Sequence, residues 1–116
     1  MHDQPLQITH QPGRHADVVI LSLDGPLTLQ NLFVFQQEMA AHKPQVLILD
    51  LTRSTYMDSA GLGALMNCYV SAEKNARKLL LAGANYRILA LLETTKVDTL
   101  LKNFPTAAEA EASVRP

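Results

Sequence analysis

One serine of this chain stands where its hydroxyl could be modified or could react. Ser59 follows the strand-like apolar run at residues 46–51, and the chain then opens directly into a helical pattern. By residue type, a serine at a helix start is most often an N-cap, whose oxygen accepts a backbone hydrogen bond. The same position can also present the hydroxyl to a kinase and then hold the phosphate beside free backbone N–H groups. The serine by itself leaves both roles open.

The neighbours of Ser59 favour an accessible hydroxyl. Asp58 could cap the same helix, which would release the serine from that role. Gly61 and Gly63 each cost a helix about 1 kcal/mol relative to alanine, and they leave no side chain around the hydroxyl. We therefore predict a bare helix start, over which a partner could pack.

Catalysis at Ser59 would require a base to activate the hydroxyl and a third group to orient that base. Four histidines all precede the serine, and none lies in a loop that leads from a predicted strand to a predicted helix: His2, His10, His15 and His42. A nucleophile elbow would also need glycine where Met57 stands. The sequence therefore predicts no catalytic residue and no enzyme.

The remaining residue types predict neither a cofactor nor a metal site. Cys68 is the only cysteine, which excludes a multi-cysteine zinc site, and we interpret it as a small buried apolar residue. Gly61 and Gly63 lack the third glycine of a dinucleotide-binding turn, where Met66 stands. A binding function remains.

Length and charge narrow the class of partner. The chain has 116 residues, which suffices for one domain, placed at residues 1–116. Its formal net charge is −1 and its 10 Lys and Arg residues are scattered, so nucleic acid is not an expected partner. No secretion signal opens the chain and no apolar run approaches bilayer length, which predicts a soluble cytoplasmic protein without a membrane span.

Apolar periodicity predicts the elements that position Ser59. Residues 6–9 and 18–23 are expected to form an opening hairpin, and residues 28–42 a helix. Residues 46–51 have the apolar run of a central strand buried on both faces. An amphipathic helix follows from Gly61 onward, so the strand after it should lie parallel to the central one.

The remaining elements complete an α/β pattern. We predict a strand at residues 78–82, a helix at 86–93 and a short last strand at 97–101. Thr106 and Glu109 have the spacing of a capping box, which starts a C-terminal helix. The predicted fold is a mixed four- to five-stranded sheet with about four helices packed against it.

The segment around Ser59 resembles the signature of STAS domains, the anti-sigma factor antagonist family. In that family an Asp-Leu-Ser strand end leads through a spacer to Asp-Ser-Ser-Gly-Leu-Gly. Here Asp50, Leu51 and Thr52 lead by the same spacing to residues 58–63, with Ala60 in place of the second serine. The resemblance extends along most of the chain, to residues 25–27, 79–82 and 104–110. It implies a STAS-like domain.

The resemblance also implies a phosphorylatable switch in transcription regulation. In the family, antagonists bind a serine kinase that is also an anti-sigma factor, and phosphorylation of the serine that matches Ser59 breaks that partnership. The kinase would use ATP, and a phosphatase would reverse the modification. The residues expected to contact the partner are Thr28, Asp58, Ser59, Ala60, Gly61, Leu62 and Gly63.

Two alternatives to this function remain open. Thr28 stands where antagonists often have an acidic residue, and residues 25–31 are closer to STAS domains attached to anion transporters. In a scaffold or transporter subunit of this kind, Ser59 would be a cap or a ligand contact. A small-molecule carrier is also possible, since loops after the strands of α/β sheets commonly hold ligands.

Overall fold

A five-stranded mixed sheet forms the centre of the fold in the computed structural model, which describes residues 4–114. Its strands are β1 (Gln7–Pro12), β2 (Val18–Asp24), β3 (Val46–Asp50), β4 (Lys78–Ala82) and β5 (Asn103–Phe104). They lie in the order β1-β2-β3-β4-β5. β1 is antiparallel to β2, whereas β2 to β5 run parallel. The predicted hairpin, central strand and parallel crossover are confirmed.

Helices cover both faces of this sheet. Within the described residues they are α1 (Leu32–Ala41), α2 (Ser59–Lys74), α3 (Tyr86–Thr94) and α4 (Ala107–Val114), and a 3-10 turn at Leu29–Asn31 precedes α1. Successive side chains of β3 point to opposite faces. Leu47 and Leu49 therefore pack with α1, α2 and α3, whereas Val46 and Ile48 pack with α4. The predicted α/β architecture is confirmed.

The ends of several elements differ from the predicted ones. β1 reaches Pro12 instead of ending at residue 9, because its whole length pairs with β2. The first helix opens as a 3-10 turn, so the α-helical part starts only at Leu32. Thr106 caps α4 as predicted, since its Oγ1 accepts a hydrogen bond from the Glu109 N–H at 3.1 Å.

The predicted strand at residues 97–101 is wrong. The N–H groups of Leu100 and Leu101 donate back to the carbonyl of Val97 at 3.0 and 2.9 Å, which closes a turn. Lys96, just before it, has a φ of 63°, which turns the chain sharply. The segment buries Leu101 in the core, and β4 pairs instead with the later β5. A short apolar run does not by periodicity alone distinguish a strand from such a turn.

None of the helices within residues 4–114 has both the length and the apolar character that crossing a bilayer would require.

Candidate functional site

The loops that follow the three central strands meet at one edge of the sheet, because β2, β3 and β4 are parallel. The loop after β3 is bonded to both neighbouring loops. On one side the Gly25 N–H donates to the Arg53 carbonyl at 3.1 Å, and the Ser54 hydroxyl donates to the Gly25 carbonyl at 2.8 Å. On the other side the Asn85 side-chain amide donates to the carbonyls of Ser54 and Thr55. The backbone that leads to Ser59 is thereby fixed.

Asp58 is the N-cap of α2. Its Oδ1 accepts a hydrogen bond from the Gly61 N–H at 2.8 Å, and its Oδ2 accepts one from the Leu29 N–H at 3.2 Å. Ser59 is then the first residue inside the helix. The cap interpretation of Ser59 is therefore wrong, because the preceding carboxylate takes that position.

The Ser59 side chain is exposed and its hydroxyl has no hydrogen-bond partner among residues 4–114. The N–H groups of Ser59 and Ala60 likewise have no acceptor within that part of the chain, as expected for the first turn of a helix. A helix N-terminus of this kind favours negative charge through its dipole and its unbonded N–H groups. The site can therefore present a hydroxyl to an enzyme and can accommodate an anion there afterwards.

The two glycines of the helix start have different surroundings. Gly63 faces open space, since a Cβ built on it would meet nothing within 4 Å. Gly61 is buried against the carbonyl of Leu27, and an added Cβ would collide with that oxygen. The predicted bare turn at both glycines is correct for Gly63 and wrong for Gly61, where glycine permits α2 to pack on the loop after β2.

Three of the residues predicted to contact a partner lie below the surface. Thr28 is 1% exposed and Leu62 is 7% exposed, and Gly61 is buried with them. They shape the site from beneath, because the loop after β2 packs against the first turn of α2. The accessible members of the predicted contact set are Asp58, Ser59, Ala60 and Gly63, and their contact with a partner stays a prediction.

Two apolar side chains beside the site are exposed, although the helical spacing of the sequence groups them with Leu32 on one side of the predicted helix. Leu29 is 68% exposed and Phe33 is 69% exposed, and Leu29 is joined to Asp58 by its backbone hydrogen bond. Phe33 follows Leu29 by four positions, and the intervening 3-10 turn changes which residues face inward. The signal was present in the sequence, since residues 32–35 are all apolar and cannot all face one side of a helix.

No histidine among residues 4–114 is hydrogen-bonded to Ser59. The imidazole and N–H of His15 bond to Glu111, and His10 packs against His42 with ring centroids 4.5 Å apart. Cys68 is half-buried in a groove of about 200 Å³ between α1 and α2. Burial raises the pKa of its thiol, against the smaller opposing effect of the nearby charges of Arg77 and Lys43. A raised pKa disfavours the reactive thiolate, in keeping with the interpretation of Cys68 as an apolar residue.

The fold and the helix start agree with a family assignment. The chain belongs to the STAS domain family, whose model matches residues 9–110. The resemblance noted in the sequence is thereby confirmed.

Individual proteins similar to this chain include both antagonists and a transporter protein. The anti-sigma-B factor antagonist of Listeria monocytogenes is 27% identical over 101 residues, which cover 84% of this chain and 85% of that protein. An anti-sigma factor antagonist from Mycobacterium paratuberculosis has a TM-score of 0.80 at 22% identity, with 95% and 96% of the two chains covered. A sulfate transporter family protein from Wolinella succinogenes has a TM-score of 0.70 at 25% identity, with 86% and 88% covered.

Proposed function

We propose that this chain is an anti-sigma factor antagonist that binds an anti-sigma serine kinase while Ser59 is unmodified. Phosphorylation of Ser59 by that kinase, with ATP as donor, ends the partnership, and a phosphatase restores it. The observation that carries the proposal is the exposed Ser59 hydroxyl without a hydrogen-bond partner among the described residues. The Listeria relative named as an anti-sigma-B factor antagonist supports the choice of partner. The role is binding, with residues 1–116 acting as one STAS domain.

The phosphorylated chain should keep its fold. A phosphate on Ser59 adds about −1.5 to −2 charges at neutral pH. Because Asp58 caps α2 through Gly61, the serine takes no part in a hydrogen bond that the modification would break. The dipole of a helix N-terminus stabilises a nearby anion by about 0.3–1 kcal/mol, which offsets part of the repulsion from the Asp58 carboxylate.

The same phosphate should release a partner packed over it. Such a partner would have to desolvate a dianion beside Asp58, which costs several kcal/mol when the charge is left unpaired. Converting a complex from nearly all bound to nearly all free requires about 5.5 kcal/mol of differential affinity. The cost of desolvating one phosphate is large enough to account for that difference in affinity.

The contact area extends beyond the serine. We define the switch surface as Ser59, Ala60 and Gly63 of α2 together with Leu29 and Phe33. The two apolar side chains are exposed to 68% and 69%, and such exposed apolar groups beside a polar centre are typical of protein interaction sites. Gly63 leaves the surface flat around the hydroxyl, which a kinase needs in order to approach it.

Phosphate mapping is the direct test of the proposed site. The chain is incubated with its cognate anti-sigma serine kinase and ATP, and tandem mass spectrometry should place the phosphate on Ser59. Ser59→Ala should remain unmodified under the same conditions. A phosphate found on another residue would refute the assignment.

Binding measurements by calorimetry test the switch itself. Ser59→Asp should weaken kinase binding, whereas Ser59→Ala should keep it, and both should stay within about 1 kcal/mol of the parent in stability, as is usual for surface changes. Leu29→Ser and Phe33→Ser should also weaken binding. Leu100→Ser removes an apolar side chain of 45% exposure outside the switch surface and serves as the matched control. The proposal would be contradicted if Ser59→Asp, Leu29→Ser and Phe33→Ser all bound the kinase as tightly as the parent does.

The match to the Wolinella sulfate transporter family protein supports a second candidate function, as a non-catalytic subunit or scaffold of a transporter complex. Ser59 would then be a contact or a ligand group. Co-purification with a permease or transport ATPase, unchanged by Ser59→Asp, would favour this function over the antagonist.

A further inference from the structure

Three possible metal ligands converge from two separate elements of the fold. They are His10 of β1, Glu38 of α1 and His42 directly after α1. Each residue offers one ligand atom, and these three atoms all lie within 4.8 Å of one another. The Nε2 of His42 is 3.6 Å from the Oε1 of Glu38, and the rings of His10 and His42 are tilted by 43° at a centroid distance of 4.5 Å.

The local structure explains why these residues meet. Alternate residues of a strand share one face, and Ile8 of β1 packs against the core on the side covered by α1. His10 is two positions further on the same face, opposite Leu21 in the register. Glu38 lies in the last turn of α1 and His42 follows its last residue, and this spacing of four positions brings the two side chains to 3.6 Å. The sequence showed no such cluster, because β1 and α1 are brought together only by the fold.

The donor set suits a divalent transition metal. Imidazole nitrogens select zinc, copper or nickel, whereas magnesium and calcium prefer oxygen ligands alone. Two histidines and one glutamate are an established zinc ligand set, with bond lengths of about 2.0–2.2 Å and a fourth position open to water. Tetrahedral ligands at those bond lengths are about 3.4 Å apart, so side-chain rotation must draw atoms that lie up to 4.8 Å apart together by as much as about 1.4 Å. His10 is exposed and the other two side chains are part-exposed, which leaves them room to rotate.

We propose that His10, Glu38 and His42 form a zinc site that fastens β1 to the end of α1. The site is separate from the switch surface: α1 starts beside Leu29, and its ten residues place His42 about 15 Å along the helix axis. Zinc bound here holds the edge strand β1 on the sheet. Because the ion binds the folded chain, it raises the stability of that chain by mass action.

Zinc binding is measured on the full-length chain without a histidine tag. Equilibrium dialysis followed by elemental analysis should give one zinc per chain. The melting temperature should rise with zinc, return to its starting value when EDTA is added, and stay unchanged with magnesium. Failure to take up stoichiometric zinc would overturn the proposal, and the contact between His10 and His42 would then be ordinary ring packing.

Single variants locate the ion. His10→Gln, Glu38→Gln and His42→Gln should each weaken zinc binding by at least about tenfold, since loss even of an outer partner costs 10–100-fold in affinity. Their melting temperatures without zinc show whether each variant folds. His2→Gln and Cys68→Ser are matched controls that remove another possible ligand each, and both should bind zinc as the parent does. Loss of binding in a control, with retention in the three ligand variants, would place the ion elsewhere and refute the site.

Discussion

The carboxylate of Asp58 accepts a hydrogen bond from the backbone N–H of Leu29 at 3.2 Å, across 29 positions of the chain. The same carboxylate caps α2 by accepting from the Gly61 N–H at 2.8 Å. One side chain thus connects the 3-10 turn before α1 to the helix that begins with Ser59. The exposed Leu29 side chain and the Ser59 hydroxyl are held in a fixed relation as a result.

Replacing Asp58 by alanine should lower the free energy of unfolding by about 1–2 kcal/mol, because an N-cap is lost and the Leu29 N–H loses its acceptor. Urea denaturation measures this difference. Asp98→Ala is the matched control, since Asp98 is exposed and has no hydrogen bond or ion pair among the described residues. The control should stay within about 0.5 kcal/mol of the parent. Equal stability of the two variants would show that Asp58 does not act as a cap.

Replacing each of the two glycines of α2 by alanine should change the free energy of unfolding in opposite directions. Gly63→Ala should raise the free energy of unfolding by about 0.5–1 kcal/mol, because glycine in a helix is that much less favourable than alanine and the new Cβ meets open space. Gly61→Ala should lower it, because its Cβ would collide with the Leu27 carbonyl. Thermal and urea denaturation of the pair test this contrast. Two shifts of the same sign would contradict the described packing of α2.

Features set by local chemistry could be predicted from the sequence. The caps at Asp58 and Thr106 depend on residues three positions away, and the apolar run of β3 identifies a strand buried on both faces. The cap at Asp58 also indicates where α2 begins. Each of these features depends on neighbouring residues in the sequence and can be predicted without knowing how distant segments pack.

Features set by contacts between distant segments could not be predicted in the same way. The burial of Gly61 depends on where Leu27 comes to lie. The cluster of His10 with His42 depends on how β1 packs beside α1. Each of these contacts joins residues that no local pattern relates.

Two serines of the same loop region should differ sharply on replacement by alanine. Ser54 is 2% exposed, and its hydroxyl donates to the Gly25 carbonyl at 2.8 Å. Ser54→Ala should therefore cost about 1–3 kcal/mol, because a buried carbonyl is left without that donor. Ser59→Ala changes the same group at an exposed position and should stay within about 0.5 kcal/mol. Urea denaturation of both variants measures the two changes in the free energy of unfolding. Similar changes would show that the hydrogen bond from the Ser54 hydroxyl does not stabilise the fold.

The contact between Glu111 and residues 14–15 should make the stability depend on acid pH. Burial by itself would raise the pKa of the Glu111 carboxyl, but hydrogen bonds from the His15 side chain and from the N–H groups of Arg14 and His15 outweigh it and hold the pKa below its usual range. A carboxyl with a lowered folded-state pKa stabilises the fold above the ordinary glutamate pKa of about 4.3. That contribution is lost as the pH falls through the lower folded-state value.

Glu111→Gln should consequently reduce stability at pH 7. The introduced side chain replaces one acceptor oxygen by an amide nitrogen, which is a donor and would face the donors of Arg14 and His15. The difference from the parent should shrink as the pH falls below about 4.3, where the carboxyl of the unfolded chain takes up a proton, and toward the lower folded-state pKa, where the folded carboxyl does so too. Urea denaturation from pH 7 to pH 3 measures both curves. Glu93→Gln, at an exposed position whose side chain has no hydrogen bond or ion pair within residues 4–114, is the matched control and should follow the parent throughout. A Glu111→Gln deficit that stays constant over this pH range would mean that the charge of Glu111 does not stabilise the contact.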